Sequence, residues 1–355
     1  MGEAVAIRPD REFLRRVLAS GGADLKKCYQ CATCSVACEL SPDDAPFPRK
    51  QMLEAAWGLK DRLMRDPAIW LCYNCGKCTE RCPRGARPSE VLGAVRGEVV
   101  RHFAFPRFLG SLVARPKALP LLFLLPALIF AAVVAAPASS RPLPASFEFA
   151  NLFPAAVLEP LFFAVSGFAL LAFIVGVARF ARGIAGVTNG LPPALAEIAA
   201  HRRFSQCDDS TMRVAHLLTF WGFIGLALVG TIAGIGTMAG VLRTPLPLDS
   251  PLKIFANLAA ATALVGVVLL LVRRIGKAGS TYYDWFFVAT LAGVVFTGIV
   301  SEMLRLAQTR IMYGVYFIHL VLVFSLLLYA PYSKFAHLAY RTVALAGSRR
   351  SDQRS

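Results

Sequence analysis

Polar and apolar positions divide the chain near residue 105. Before that point apolar residues recur at helical spacing among charged ones. Arg8 to Ser20 carries Phe13, Leu14, Val17 and Leu18 on one stripe and meets Gly21-Gly22, which predicts a helix. Pro48 to Met64 reads as a second helix, opened by Pro48 and followed by Asp66-Pro67. A third is predicted from Pro88 to about Phe103, with Ser89 as its cap. No run alternates with period two, so no strand is predicted.

Beyond a basic, Pro-containing linker at Phe105–Pro116, the pattern changes to long apolar runs bounded by charge. These are Ala118–Ala136, Pro160–Ala178, Val214–Leu242, Ile254–Val272, Trp285–Ser301 and Ile311–Ser333, each long enough to cross a bilayer. Val214–Leu242 is the longest and must tilt or project beyond the hydrocarbon. The predicted fold is all-α: a helical N-terminal domain (1–104), a linker (105–117), a six-helix transmembrane bundle (118–340) and a basic tail (341–355).

Composition agrees with that division. Of the 355 residues 56% are hydrophobic, and the mean hydropathy of +0.55 is too high for an ordinary soluble protein. The net charge of +16 does not form an aromatic-interleaved stripe, so nucleic acid is not the expected partner. The charge collects at the ends of the apolar runs. One set of ends carries Arg179, Arg182, Arg202, Arg203, Arg213, Arg273, Arg274 and Lys277, then Lys334, Arg341, Arg349, Arg350 and Arg354 in the tail. The other carries only Arg141, Arg243, Lys253, Arg305 and Arg310. The positive-inside rule therefore predicts a multi-pass protein of a bacterial or archaeal cytoplasmic membrane, with both termini in the cytoplasm.

Eight of the nine cysteines lie in two runs: Cys28-x-x-Cys31-x-x-Cys34-x-x-x-Cys38 and Cys72-x-x-Cys75-x-x-Cys78-x-x-x-Cys82-Pro83. Each matches the bacterial ferredoxin pattern, in which three close thiolates cap one cluster and the fourth reaches the other. That rule assigns Cys28, Cys31, Cys34 and Cys82 to one [4Fe–4S] cubane, and Cys72, Cys75, Cys78 and Cys38 to its neighbour. Zinc would leave the third and fourth cysteine of each run idle, and a c-type haem needs a CxxCH that is missing. Disulfides fit an even count but not a cytoplasmic domain. Cys207, the ninth, reads as a structural thiol.

The chain has five histidines: His102, His201, His216, His319 and His337. His102 precedes the linker and reads as a surface residue. His216 and His319 fall inside apolar runs, where an ionisable side chain is costly and functional by default. A b-type haem needs two imidazoles at matching depth on facing helices. The third span runs outward and the sixth inward, so matched pairs have nearly constant sums of residue number. His216 with His319 and His201 with His337 satisfy this, and two haems would then lie about 22–27 Å apart by the helical rise. A second arrangement centres Val214–Leu242 in the bilayer, pairs His216 with His337 in a single haem, and leaves His319 as a polar residue or quinone contact.

Cysteine runs, His201-Arg202-Arg203-Phe204-x-x-Cys207, Arg213-Val214-Ala215-His216, Tyr316-Phe317-Ile318-His319-Leu320 and Pro331-Tyr332-Ser333-Lys334-Phe335-Ala336-His337 together carry a resemblance. The N-terminal part resembles the ferredoxin-like C subunit of heterodisulfide reductase. The membrane part resembles the E subunit of that enzyme and the gamma subunit of respiratory nitrate reductase, both of cytochrome b type. The fusion resembles the C subunits of quinone-interacting membrane-bound oxidoreductase (Qmo) complexes. The resemblance implies electron transfer between quinone or menaquinone, haem b, two [4Fe–4S] clusters and flavin/iron–sulfur partners. Those partners would resemble the A subunit of heterodisulfide reductase and serve adenylylsulfate reductase in dissimilatory sulfur metabolism. The resemblance leaves open a different thiol–disulfide partner, or a haem-free anchor for a ferredoxin module. No adjacent cysteines occur, so the Cys-Cys-Gly sites of the disulfide-cleaving subunits are missing and this chain reads as wiring. For a quinone site the sequence offers Glu302 and Arg305, three residues apart at the outer end of the fifth span, with Tyr332, Lys334 and His337 as an inner rival.

Overall fold

A computed structural model describes residues 7–136, 146–184, 186–201, 210–275 and 281–352, and no strand occurs among them. The N-terminal part contains α1 (Arg11–Ala19), α2 (Thr33–Val36), α3 (Arg49–Ala56), α4 (Lys60–Arg65), α5 (Ala68–Leu71), α6 (Lys77–Glu80), α7 (Pro88–Phe103) and α8 (Arg107–Val113). Then follow α9 (Leu119–Ala135), α10 (Ala155–Ala181), α11 (Val187–Ala200), α12 (Ser210–Met238), α13 (Pro251–Ile275), α14 (Tyr282–Leu306), α15 (Ile311–Tyr329) and α16 (His337–Asp352). Arg141, Arg202, Arg203, Cys207, Lys277 and Arg354 lie outside the described residues.

Local chemistry explains where the N-terminal helices begin and end. Asp10 caps α1, its carboxylate accepting the Phe13 N–H at 2.8 Å, and the helix buries Phe13 and Val17. The single helix expected over 48–64 is two, α3 and α4. Gly58 breaks it at φ +67°, and its carbonyl accepts the Asp10 N–H at 2.9 Å. A Cβ there would stand 2.9 Å from the Asp10 carbonyl oxygen, so only glycine closes this turn without strain. Helix α7 covers the expected residues, but its N-cap is Arg87, and Ser89 instead hydrogen-bonds Thr79 and Glu90, each at 2.7 Å. Within the linker, α8 occupies Arg107–Val113.

Among the described residues six helices are long and apolar enough to cross a membrane: Pro116–Ala135, Ala155–Ala181, Ser210–Met238, Pro251–Ile275, Tyr282–Leu306 and Ile311–Tyr332. Each of the six expected runs lies on one of them. Where α12 and α13 pack, Gly222 and Gly266 bring the backbones together. A Cβ on Gly222 would stand 2.5 Å from Ala263 N, and one on Gly266 2.4 Å from Thr219 N. The sixth helix does not continue straight to His337. After Tyr329 the chain turns through two 3-10 segments, Ala330–Tyr332 and Lys334–Ala336, with Pro331 in the first. Residues 341–352, expected as a tail, belong to α16, which buries Val343, Ala344, Leu345 and Ala346.

The two parts share a core. The cluster of buried residues that includes Phe13, Met52, Leu63, Ile69, Trp70, Val91 and Val95 continues into Phe180 of α10 and Tyr340, Val343 and Ala344 of α16. Trp70 stacks on Tyr340 with ring centroids 5.1 Å apart and meets Phe180 edge-on at 6.3 Å. Burial of this kind, about 25 cal/mol per Å2 of apolar surface, docks the N-terminal domain on one end of the bundle.

Candidate functional site

The two cysteine runs fold alike. Gln30 and Ala32 in the first, and Asn74 and Gly76 in the second, all adopt positive φ (58°, 68°, 57° and 89°), two and four residues after the leading cysteine. Each run then enters a one-turn helix, α2 or α6. This repeated backbone presents the three close cysteines of each run to one cavity. The structure brings the last cysteine of each run beside the first three of the other. Cys38, Cys72, Cys75 and Cys78 line one cavity of about 440 Å3, and Cys28, Cys31, Cys34 and Cys82 line another of about 350 Å3, openings to solvent included. All eight thiols are free of disulfides. Among the described residues no group of three His, Cys, Asp or Glu side chains converges on a single ion. Four thiolates to a cavity are the ligand set that a [4Fe–4S] cubane takes. Backbone N–H groups of Asn74 and Ala86 donate to the Cys72 and Cys82 sulfurs, both at 3.3 Å, as expected around clusters.

Burial pushes the Cys38 thiol up to about 11 and raises Cys34 and Cys78 as well, with neighbouring cysteines adding to the effect. The exposed Cys31 is lowered, first by the hydrogen bond with the Thr33 hydroxyl.

Three of the five histidines meet where the bundle faces the N-terminal domain. His201 ends α11 in a left-handed conformation (φ +51°), which swings its ring back over α12. Its Nε2 lies 2.7 Å from Nδ1 of His216, and the His216 and His337 rings are 6.0 Å apart, nearly perpendicular at 89°. His337 Nδ1 donates to the Lys334 carbonyl at 2.5 Å, which leaves the lone pair on Nε2. Burial holds His337 down at about 4 and also lowers His201, so both rings are neutral at pH 7. His201 Nδ1 lies 3.4 Å from the Ala199 carbonyl. One tautomer set satisfies the chain: His201 Nδ1–H donates to Ala199, His216 Nδ1–H donates to His201, and the His216 lone pair is on Nε2. Lys334 is fixed by Asp284, which also pairs with Arg274 at 3.3 Å.

His319 does not join this group. It sits ten residues before the end of α15, about 15 Å along the axis. There its Nδ1 lies 3.1 Å from Thr297 Oγ1. Thr297 gives its only proton to the Gly293 carbonyl at 2.6 Å, so the histidine is the donor and its Nε2 keeps the lone pair. Of the two arrangements read from the sequence, the geometry brings His216 to His337 and not to His319. The constant-sum rule misleads because His337 lies beyond two turns rather than on the straight continuation of α15, and because His201 belongs to α11.

At the far end of the bundle Glu302 pairs with Lys253 of α13 at 2.6 Å rather than with Arg305. The sequence reading missed Glu159 of α10. Among the described residues no cation pairs with it, its Oε2 lies 2.6 Å from where a Gly234 Cβ would be, and Tyr316 is within range of its charge. Its signal was a lone carboxylate one residue outside the run taken to start at Pro160.

A 4Fe-4S dicluster domain model matches residues 24–86. The C subunit of the H(2):CoB-CoM heterodisulfide,ferredoxin reductase of Methanothermobacter thermautotrophicus is 39% identical over 93 residues, 26% of this chain and 50% of that protein. A protein of Archaeoglobus profundus, described as like the C subunit of heterodisulfide reductase, is 34% identical over 113 residues, 30% of this chain and 58% of that one. The chain thus spans little more than half the length of these relatives. Citrate utilization protein B of Escherichia coli is 30% identical over 308 residues, 78% of this chain and 79% of that protein. No solved structure matches. The N-terminal domain is an iron–sulfur electron-transfer module related to the C subunit of heterodisulfide reductase, joined to six helices of membrane-spanning length.

Proposed function

The chain belongs to the family of citrate utilization protein B, and on that premise we propose that it is the membrane component of a redox complex, relaying electrons between quinone, haem b and two [4Fe–4S] clusters. The observation that carries this reading is the shared core, which docks the crossed cysteine sets against the end of the bundle where His201, His216 and His337 meet. The cluster ligands are Cys28, Cys31, Cys34 and Cys82 for one, and Cys38, Cys72, Cys75 and Cys78 for the other. Basic helix ends orient this face to the cytoplasm.

Residues of the histidine group fit a b-type haem. Two imidazoles on one iron at roughly 2 Å each put their ring centroids about 6 Å apart, and His216 and His337 are 6.0 Å apart. Both present Nε2 in the derived tautomers. His201 holds the His216 ring by its Nδ1 and acts through it. Haem, when bound, supplies one-electron transfer between the two-electron quinone and the clusters. Lys334, fixed by Asp284, orients His337 through its backbone carbonyl.

The soluble partner takes up or delivers electrons at the clusters. Adenylylsulfate reductase, reached through flavin/iron–sulfur proteins resembling the A subunit of heterodisulfide reductase, follows from the likeness to Qmo complexes. A relative that spans 78% of this chain instead carries citrate utilization in its name, which supports a second reading: a soluble partner that acts on citrate. The visible spectrum of the purified protein tests the core of the proposal. A Soret band that sharpens on adding menaquinol, together with cluster bleaching, is expected. A colourless membrane domain beside intact clusters would reduce the chain to an anchor for a ferredoxin module. Co-purification of the native partner separates the two partner readings.

A further inference from the structure

The two cysteine sets are not equivalent toward the membrane domain. Helix α5 ends at Leu71 and delivers Cys72, and both neighbouring carbonyls are held by arginines. Arg96 of α7 donates to the Cys72 carbonyl at 3.0 Å, and Arg341 of α16 donates to the Leu71 carbonyl at 3.4 Å. Arg341 also lies over the Tyr73 ring, its Cζ 3.8 Å from the centroid. On the other side, Arg341 follows His337 by one helical turn, and the charges of both Arg96 and Arg341 bear on His337. Trp70, two residues before Cys72, stacks on Tyr340, the neighbour of Arg341. The other set differs. Cys31 is exposed, and Tyr29 (68%) and Val36 (88%) beside it face outward. Its loop is braced from within its own domain, by Arg84 donating to the Tyr29 hydroxyl at 2.9 Å. The chain ahead of the first run does approach the bundle through Gly21 against Thr281, but that turn holds no cysteine.

We propose that Cys38, Cys72, Cys75 and Cys78 form the electron port that faces the membrane domain, with Arg96 and Arg341 as its positioning residues, and that Cys28, Cys31, Cys34 and Cys82 form the outward port to the soluble partner. The proposal rests on the reading of both sets as cluster ligands. Arginines on the carbonyls beside Cys72 do two things. They fix the loop against α16, so the distance from this port to His337 is set by one helix. They also place positive charge beside this cluster, as Arg49 and Arg84 do in the lining of the other cavity, and such charge favours the reduced, more negative state of the cluster it is nearest.

The test is an EPR redox titration of the full-length protein in detergent, with the Cys38→Ala protein used to identify which signal belongs to the membrane-facing set. Arg341→Ala and Arg96→Ala are expected to move that signal to lower potential and leave the other in place. Arg341→Lys keeps the charge but loses the planar fork and the stacking, so its shift is smaller. The unmoved signal reports that the domain is folded and loaded. Equal shifts of both signals, a shift of the outward set alone, or no shift in either alanine variant would overturn the assignment. Absence of cluster signals from the unmodified protein would sink the dicluster reading itself, a different outcome from any of these.

Discussion

The N-terminal and membrane domains place their chemistry by opposite means. In the first, eight cysteines sit within 55 residues (28 to 82), and the backbone repeats the same positive-φ pattern at Gln30/Ala32 and Asn74/Gly76. The turn that presents each run's three close cysteines is a local property, carried by the spacing of the run. In the second, His201, His216 and His337 are gathered from α11, α12 and the start of α16. No spacing rule covers that, because the path between them includes turns. Local motifs transmit their geometry through the sequence, and sites assembled from distant helices do so only where the helices are straight.

The sharpest way to break this contrast is to cut a ligand that crosses between the runs. Cys38→Ala is expected to abolish the cluster whose other ligands are Cys72, Cys75 and Cys78, and to leave the cluster nearer in sequence. EPR of the reduced protein checks it. Loss of the signal from the Cys28, Cys31 and Cys34 set instead would mean that proximity in sequence, not the crossed cavity, decides ligation.

What was legible follows the same line. The six spans were readable because bilayer thickness demands an uninterrupted run, and α7 because Pro88 fixes its start. The split of α3 and α4 was hidden, since Trp57 and Leu59 keep the apolar pattern while Gly58 turns the chain. Burial of α16 was hidden too: Arg341, Arg349 and Arg350 look like a solvated tail, yet Leu345 and Ala346 pack against α11 while Val343 and Ala344 enter the core shared with the N-terminal domain. Glu159 was passed over because a carboxylate at the edge of an apolar run looks like its boundary.

Next in size are the histidines. His216→Ala and His337→Ala are each expected to remove nearly all b-type haem absorbance, because each takes away one axial imidazole. His201→Ala leaves an iron with both imidazoles but frees the His216 ring. It should shift the haem potential and broaden its EPR signal with far less loss of haem. His319→Ala should leave haem content unchanged, since among the described residues no second histidine faces it. Loss of half the haem in His319→Ala would restore the two-haem arrangement and with it the straight-helix rule.

A smaller effect is expected from pH, and it separates the buried thiols from the exposed one. Folding raises the Cys38 thiol from about 9 to about 11, chiefly by burial. The cluster-free domain therefore keeps the proton that the unfolded chain loses, and this share of its stability is complete below pH 9 and lost as pH rises toward 11. Cluster insertion needs thiolates and releases those protons, so reconstitution with iron and sulfide should become more complete with rising pH. Following the visible absorbance at pH 7, 8 and 9 checks the sign, and a flat or falling yield would refute it.

The smallest effect concerns the far end of the bundle, where two carboxylates differ in how they are held. Glu302 is occupied by Lys253 across α13 and α14, with both side chains about four-fifths buried (22% and 17% exposed). Glu302→Gln should cost about 1 kcal/mol of stability in detergent, as a partly buried pair does, and leave the response to quinol intact. Glu159 has no cation among the described residues, and it shares the α10–α12 seam with Thr237, whose buried hydroxyl oxygen finds no hydrogen-bond partner, one turn from Gly234. Tyr316, packed on Phe149 with centroids 4.0 Å apart, and then His319 continue inward from it. A quinol head releases protons as it is oxidised, and an unpaired carboxylate at the membrane edge can receive one where a carboxylate locked to lysine cannot. Glu159→Gln should therefore slow menaquinol-driven cluster reduction more than Glu302→Gln does, while Glu302→Gln lowers the unfolding temperature more. The reverse ranking in the kinetic measurement would return the quinone site to Glu302 and Arg305.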